Sequence, residues 1–403
     1  MGFQPSYIQI YSSSWGPKDD GMTVDGPDRL ARAAFDNGVK RGRGGLGSIY
    51  VWAAGNGGKF SDNCNCDGYN NLIETITISS ATAAETATSF SESCASIFAV
   101  AYSGGGGLNI ATTDLHHICT TQFSGTSASA PLVTGIIALG LEANPNLSWR
   151  DVQHLLVRSA RRNLLQSTDW RKNGVGRFVS NRFGYGLADA GRFLQLALEW
   201  KHVPQQRFCT TTITSSMEIH PNTPLNIEFP TDNSCMQHVD ILEHVIVKLT
   251  LDFSRRGDLK ITITSPSATE SIILDHRPND DSTEGFTKFE FLTVHFWDEP
   301  VLPDKKWMIK FEDVSALGHI GLVQNAELII YGTSLSQHDG ECLEPNVFDR
   351  NSGKCLLGCP VGTFRASRAN QMDSCTKCTD KCNICKGSTK ADCISWSTGS
   401  GKH

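Results

Sequence analysis

Apolar and polar positions change rhythm twice along this 403-residue chain. Up to about residue 200, short β-branched runs at 7–11, 48–53, 75–78 and 97–101 alternate with stretches at helical spacing, the clearest at 27–40 and 132–143. Near-continuous apolar strands separated by helices and glycine-rich loops predict an α/β fold with a parallel sheet over residues 1–200. Between 201 and 335 the helical spacing disappears. Strict alternation at 245–251, 259–264 and 326–331 predicts an all-β antiparallel sandwich. From 340 to 403 the apolar periodicity stops and cysteine takes over, so this segment must be held by cross-links rather than by a core.

Eight of the fourteen cysteines lie in that tail. They imply disulfides or metal. Two C-x-x-C pairs, Cys375/Cys378 and Cys382/Cys385, leave zinc open, but their spacing is short for zinc folds and an even count favours bridges. Disulfides point to the secretory route, whereas residues 1–20 contain no basic region followed by an apolar one, so no signal peptide is visible. With 36 basic against 42 acidic residues and 8% aromatics, the chain does not read as a nucleic-acid binder. Its longest weakly polar run, 128–143, falls short of the roughly 20 residues of a membrane span.

The chemistry concentrates in a few loops. Gly125-Thr126-Ser127-Ala128-Ser129-Ala130-Pro131 runs into a helical pattern. Ser127 is therefore placed at a helix mouth, where free N–H groups favour developing negative charge; read alone, the same string is a helix cap. Asn56, after the strand at 48–53 and between glycines, offers a side-chain amide for an oxyanion or is simply a turn residue. Carboxylates gather in Asp19-Asp20-Gly21, Val24-Asp25-Gly26 and Asp62-Asn63-Cys64-Asn65-Cys66-Asp67-Gly68-Tyr69. Such oxygens suit Ca²⁺ or an arginine-bearing substrate.

Together these strings resemble the furin and kexin-type proprotein convertases, subtilisin-like serine endoproteases that cut precursors after paired basic residues. The resemblance implies a partial subtilisin-like parallel sheet (1–200), a jelly-roll P domain (201–335) and a furin-like cysteine-rich tail (340–403). It implies Ser127 as nucleophile and Asn56 as oxyanion donor. Asp19 and Asp67 would line the pocket for arginine, with Asp25 and Tyr69 at a second basic subsite. Asp19, Asp62 and Glu92 would bind Ca²⁺. Cys64 would pair with Cys94 and Cys209 with Cys235, while Cys119 would find its partner upstream and Cys66 has no evident mate. The sequon Asn146-Leu147-Ser148 sits where a glycan is allowed. Proprotein substrates with basic motifs are the implied partners, with cell-surface or matrix partners for the tail, in the Golgi, at the cell surface or outside the cell.

Departures from the family accompany these matches. The triad Asp and His motifs belong before residue 7 and are not found, so the expectation is a chain without signal, pro-segment and the start of its catalytic domain, nearly inert on its own. The alternative is a noncatalytic convertase fragment that binds or tethers. Lys18, the run Ala87-Thr88-Ser89-Phe90 and the pair Phe123-Ser124 also replace usual family residues. His116-His117 reads as a solvated strand end, and Arg256-Gly257-Asp258 as a strand-flanking turn.

Overall fold

The structure, a computed structural model, describes residues 1–162, 165–230, 239–302, 305–315 and 317–334, and further on 347–349, 354–356, 363–368, 371–379, 382–385 and 393–396. Contacts divide the chain into two units, Met1–His202 with Phe208–Gly332, and Val203–Arg207 with Thr333–His403.

The first unit begins with a parallel sheet of β1 (Ile10–Ser13), β2 (Ile49–Ala53), β3 (Thr75–Ala81) and β4 (Ile97–Tyr102), in that order, with α1 (Arg29–Arg41) between β1 and β2. The first strand starts later than the pattern at 7–11 suggests. Gln4 takes a left-handed φ of 45°, and its carbonyl accepts the N–H groups of Tyr7 and Ile8, which spends these residues in a turn. Strand β2 is buried at every position. Because successive side chains point to opposite faces, Ile49, Val51 and Ala53 join one core while Tyr50 and Trp52 join Phe35 and Val39 of α1 in another.

A hairpin of β5 (Ile110–Thr113) and β6 (Cys119–Phe123) precedes α2 (Thr126–Ala143), α3 (Trp149–Ser159), the short strands β7 (Arg171–Lys172) and β8 (Phe178–Val179), and α4 (Ala190–Leu198). Ser148 and Asp151 form a reciprocal capping box that fixes the start of α3. Helix α2 is long and apolar enough to cross a membrane by length and composition. Here Val133, Ile137 and Leu141 bury themselves against Ile76, Ile78 and Ala99 of the sheet.

The sandwich follows. One sheet holds β10 (Leu225–Phe229), β12 (Leu259–Thr264), β13 (Glu270–Leu274) and β15 (Trp307–Asp313); the other holds β9 (Gln206–Ile219), β11 (Ile241–Phe253), β14 (Phe286–Thr293) and β16 (Gly321–Thr333). Val245, Val247, Leu249 and Leu251 alternate inward to meet Ile261, Ile263 and Phe311 of the facing sheet. Their neighbour Ile246, with Leu292, Val294 and Trp297, belongs instead to the core under α2 and α3. One strand thus serves two cores, and the sandwich is part of the foundation on which the parallel sheet and its helices rest.

In the second unit, strands β17 (Val347–Asp349), β18 (Lys354–Leu356), β19 (Thr363–Arg368) and β20 (Gln371–Lys377) make a small sheet, and β21 (Cys382–Cys385) pairs with β22 (Cys393–Trp396). Cys378 is disulfide-bonded to Cys385, a cross-link where apolar periodicity is absent.

Candidate active site

Ser127 stands in the first turn of α2, behind Gly125 at φ 94°, a conformation that favours glycine. Asn56 Oδ1 accepts the Thr126 N–H at 2.8 Å, so the loop after β2 caps the helix. With its oxygen engaged, Asn56 has its amide N–H groups left to offer. Pro131 lies one turn beyond Ser127 and has no N–H to return to the Ser127 carbonyl. That carbonyl instead accepts Ser14 Oγ–H at 3.2 Å, and Ser127 Oγ lies 3.5 Å from Ser14 O. Ser129, one residue past Ala128, is buried and bonded to Ser80 Oγ and Ala101 O, which pins the helix start to β3 and β4.

Two residues after Ser14, Gly16 brings the same loop against Asp67, where a Cβ would stand 3.9 Å from Oδ2. The loops at 20–26 and 62–69 are laced together by Gly68 N–H to Asp25 O at 2.7 Å. Gly26 and Gly68 approach so closely that a Cβ on Gly26 would lie 2.8 Å from the Gly68 Cα. Tyr69 stacks on Trp52 at 4.8 Å, and Trp15 packs edge-on against both, giving the cleft an aromatic wall beside exposed Asp25. The Cys64–Cys94 disulfide ties the second loop to the segment carrying Glu92.

Asp62, Asp67 and Glu92 are buried, and Asp19 is half-buried. Burial, then the neighbouring carboxylates Asp62 and Asp19, hold the Asp67 carboxyl well above its usual range; burial and then Asp67 and Asp62 do the same to Glu92. Glu92 Oε1 accepts the Gly57 N–H at 2.9 Å while Oε2 has no partner. Asp62 is fully engaged: Oδ2 with the Gly21 N–H, Oδ1 with the Asn63 N–H and with Arg277 Nη2 at 3.1 Å. Among the described residues no three acidic, histidine or cysteine side chains converge tightly enough to coordinate one ion.

The fold therefore gathers Ser127, Asn56, Asp67 and Glu92 through shared loops, with Asp19, Asp25, Asp62 and Tyr69 on the same loops. Asn146 is exposed just ahead of α3. Cys209 is disulfide-bonded; Cys235 lies outside the described residues. Cys66 is a buried free thiol and Cys119 an exposed one. No imidazole hydrogen-bonds Ser127 among the described residues, and His116 and His117 sit in an exposed turn. Arg256-Gly257-Asp258 is a buried 3₁₀ turn, its Arg256 paired to Asp280 and its Asp258 to Arg255. Sequence reasoning missed Arg277 and the buried group of Arg150, His154 and Glu243. For Glu243 the signal available was a charged residue inside an otherwise apolar sandwich strand, Leu242-Glu243-His244; Arg277, in the connection between β13 and β14, offers none.

Comparison with known proteins agrees with this geometry. A model of the subtilase family matches residues 3–186, and one of the proprotein convertase P-domain matches residues 242–330. Rat furin is 42% identical over 430 residues, covering 98% of this chain and 53% of furin. Human proprotein convertase subtilisin/kexin type 4 is 42% identical over 431 residues, covering 98% of this chain and 56% of its own. The chain spans about half the length of these curated relatives. Its fold also matches the crystal structure of the serine protease of Aeromonas sobria, with a TM-score of 0.69 at 21% identity over 80% of this chain and 71% of that one. The chain belongs to the proprotein convertases of the subtilase family.

Proposed function

We propose that this chain carries the nucleophile and the substrate-reading cleft of a calcium-dependent serine endopeptidase that cuts precursor proteins after paired basic residues. The observation that carries the reading is the single loop that bonds Ser127 through Ser14 and passes beside Asp67 at Gly16, where a Cβ would stand 3.9 Å from Oδ2. A peptide whose arginine enters beside Asp67 and Asp19 has its carbonyl brought toward Ser127. Of the parts such a cleavage needs, the described residues supply the nucleophile Ser127 and the oxyanion donors, the Ser127 N–H and the Asn56 amide, while the base that would take the Ser127 proton and return it to the leaving amine is not among them. A desolvated carboxylate selects a guanidinium over neutral side chains. Asp25 and Tyr69 offer charge and an aromatic face to a second basic side chain.

Asp19, Asp62 and Glu92 would hold the calcium ion. Their hard oxygens and the unpartnered, buried Glu92 Oε2 suit that ion, and the three side chains would have to draw together to ligate it, since no three such groups converge among the described residues. When bound, the ion supplies fixed positive charge beneath the arginine pocket. The disulfides Cys64–Cys94 and Cys378–Cys385 support a secretory setting. There Asn146 would carry a glycan and the tail would contact surface or matrix partners. Its peptidase, P-domain and cysteine-rich parts would be residues 1–200, 201–335 and 340–403.

Binding of a fluorescent Arg-Ala-Lys-Arg peptide to the full chain, read by anisotropy, tests the cleft. Asp67→Asn is expected to weaken it at least about tenfold, the loss of one buried charged partner. Equal binding of a peptide with alanine at both paired basic positions would overturn the reading. With no imidazole hydrogen-bonded to Ser127 among the described residues, mass spectrometry is expected to recover the peptide uncut.

A further inference from the structure

Arg277 comes from the sandwich, in the connection between β13 and β14, and is 1% exposed. Its Nη2 donates to Asp62 Oδ1 at 3.1 Å and to the Thr23 carbonyl at 2.7 Å, and its Nη1 to Asp280 Oδ2 at 2.8 Å. One planar fork thus grips both acidic loops of the cleft and its own support. The support is built tightly. Arg277 N–H donates to Gly257 O, the Asp280 N–H to Arg277 O, and Arg256 takes both Asp280 oxygens. Gly257 admits no side chain, since a Cβ there would lie 2.1 Å from the Arg277 carbonyl.

Around Asp62 the charges do not balance. Asp62 and Asp19 both act on Asp67 and on Glu92, and Arg277, in direct contact with Asp62, is the cation that opposes them at Asp62 and Asp67. Asp280 shares its own charge with Arg256. One guanidinium serves four carboxyl groups, and Glu92 Oε2, buried and unpartnered, is the oxygen left open to a divalent ion.

We propose that Arg277 is the resident counter-charge of this acidic cluster, holding Asp62 in place without metal and setting how strongly the cluster draws a divalent cation. The inference rests on reading the cluster as a calcium site. Arg277 acts through Asp62 and so is a positioning residue. A guanidinium beside the site steadies the empty cluster and repels an incoming ion, so its removal must weaken the first state and favour the second.

Thermal melting of the full chain in chelator and across a calcium titration tests this. Arg277→Gln keeps a donor but no charge. It is expected to melt lower than wild type in chelator, to gain more from calcium, and to reach half-saturation at about tenfold lower calcium, the scale of one nearby charge in a partly buried site. Arg277→Lys keeps the charge and is expected to half-saturate like wild type. If Arg277→Gln lowers melting equally with and without calcium and half-saturates like wild type, Arg277 only packs and the inference falls. If Arg277→Lys half-saturates at about tenfold lower calcium, charge is not the cause; this variant decides the matter even where Arg277→Gln does not fold. If wild type and both variants ignore millimolar calcium, the calcium reading itself is what fails.

Discussion

Two buried charged seams join the peptidase fold to the sandwich, and they are built on opposite principles. Beneath α3, Glu243 takes Arg150 through a two-nitrogen fork and His154 Nε2 at 2.8 Å, while Asp298 takes Arg158 and Arg177. Trp297 Nε1–H closes the first group by donating to His154 Nδ1. Positive charge meets every carboxylate named there, and the Glu243 carboxyl, though penalised by burial, is held far below its usual range by Arg150 and His154. At the other seam, Asp67 and Glu92 are pushed the opposite way. Burial is similar, so partner charge makes the difference. A satisfied seam is scaffold; one left with surplus charge is poised for a ligand.

The largest effect should come from breaking the satisfied seam. Glu243→Ala removes the buried carboxylate that Arg150 and His154 share, and urea denaturation is expected to show a loss of about 3–5 kcal/mol. A loss near zero would mean that the seam contributes nothing, and the contrast would collapse.

Acid should find the same seam next. His244 and His295 are fully buried, which lowers them from 6.5 to about 3 and about 4; neither His244 ring nitrogen has a partner, while His295 Nδ1 meets Ser271 Oγ and feels Asp169 and Arg171. Phe98 and Trp297 face the His244 ring, and Glu243, Arg150 and His154 supply the nearby charge. The unfolded chain takes up these protons near pH 6.5, whereas the folded chain refuses them until pH 4 or 3. Stability should therefore be full above about pH 6.5 and fall steadily as pH drops toward 3. Melting temperatures that hold constant from pH 7 to 4 would show that the folded state accommodates the protons.

The surplus seam should respond in the other direction. Glu92→Gln removes one of the mutually repelling charges while keeping a group to accept the Gly57 N–H. In chelator its stability is expected to hold or rise by up to about 1 kcal/mol, and its calcium response to vanish. A loss as large as that of Glu243→Ala would make the two seams alike.

What the sequence revealed divides along the same line. Parallel strands, sandwich and helix mouth were legible because period and turn chemistry are local, and Ser127, Asn56 and the acidic loops announce themselves within a few residues. The Cys64–Cys94 bridge followed from family resemblance and is present. The seams were not legible. Glu243 lies 93 positions from Arg150, and Arg277 lies 215 from Asp62. Nothing in Leu274-Asp275-His276-Arg277-Pro278 says that this arginine faces inward; only the fit of the sandwich on the loops decides it. The onset of β1 was misjudged because a left-handed Gln4 is invisible in a hydrophobic pattern.

The smallest effect is at the site itself. Ser127 and Ser129 share one turn of α2, yet only Ser129 is buried and bonded, to Ser80 Oγ at 2.9 Å and Ala101 O at 3.1 Å. Ser127 is half-buried, and its hydroxyl has only the 3.5 Å contact with Ser14 O. Ser129→Ala should therefore cost about 1–3 kcal/mol through the acceptors it strands. Ser127→Ala should change stability by less than about 0.5 kcal/mol and leave binding of the basic peptide intact. A hydroxyl held by so little is free to meet a substrate, whereas its neighbour two residues on belongs to the scaffold. Equal losses for the two serines would show that Ser127 is a structural cap, and its assignment as nucleophile would lose its geometric support.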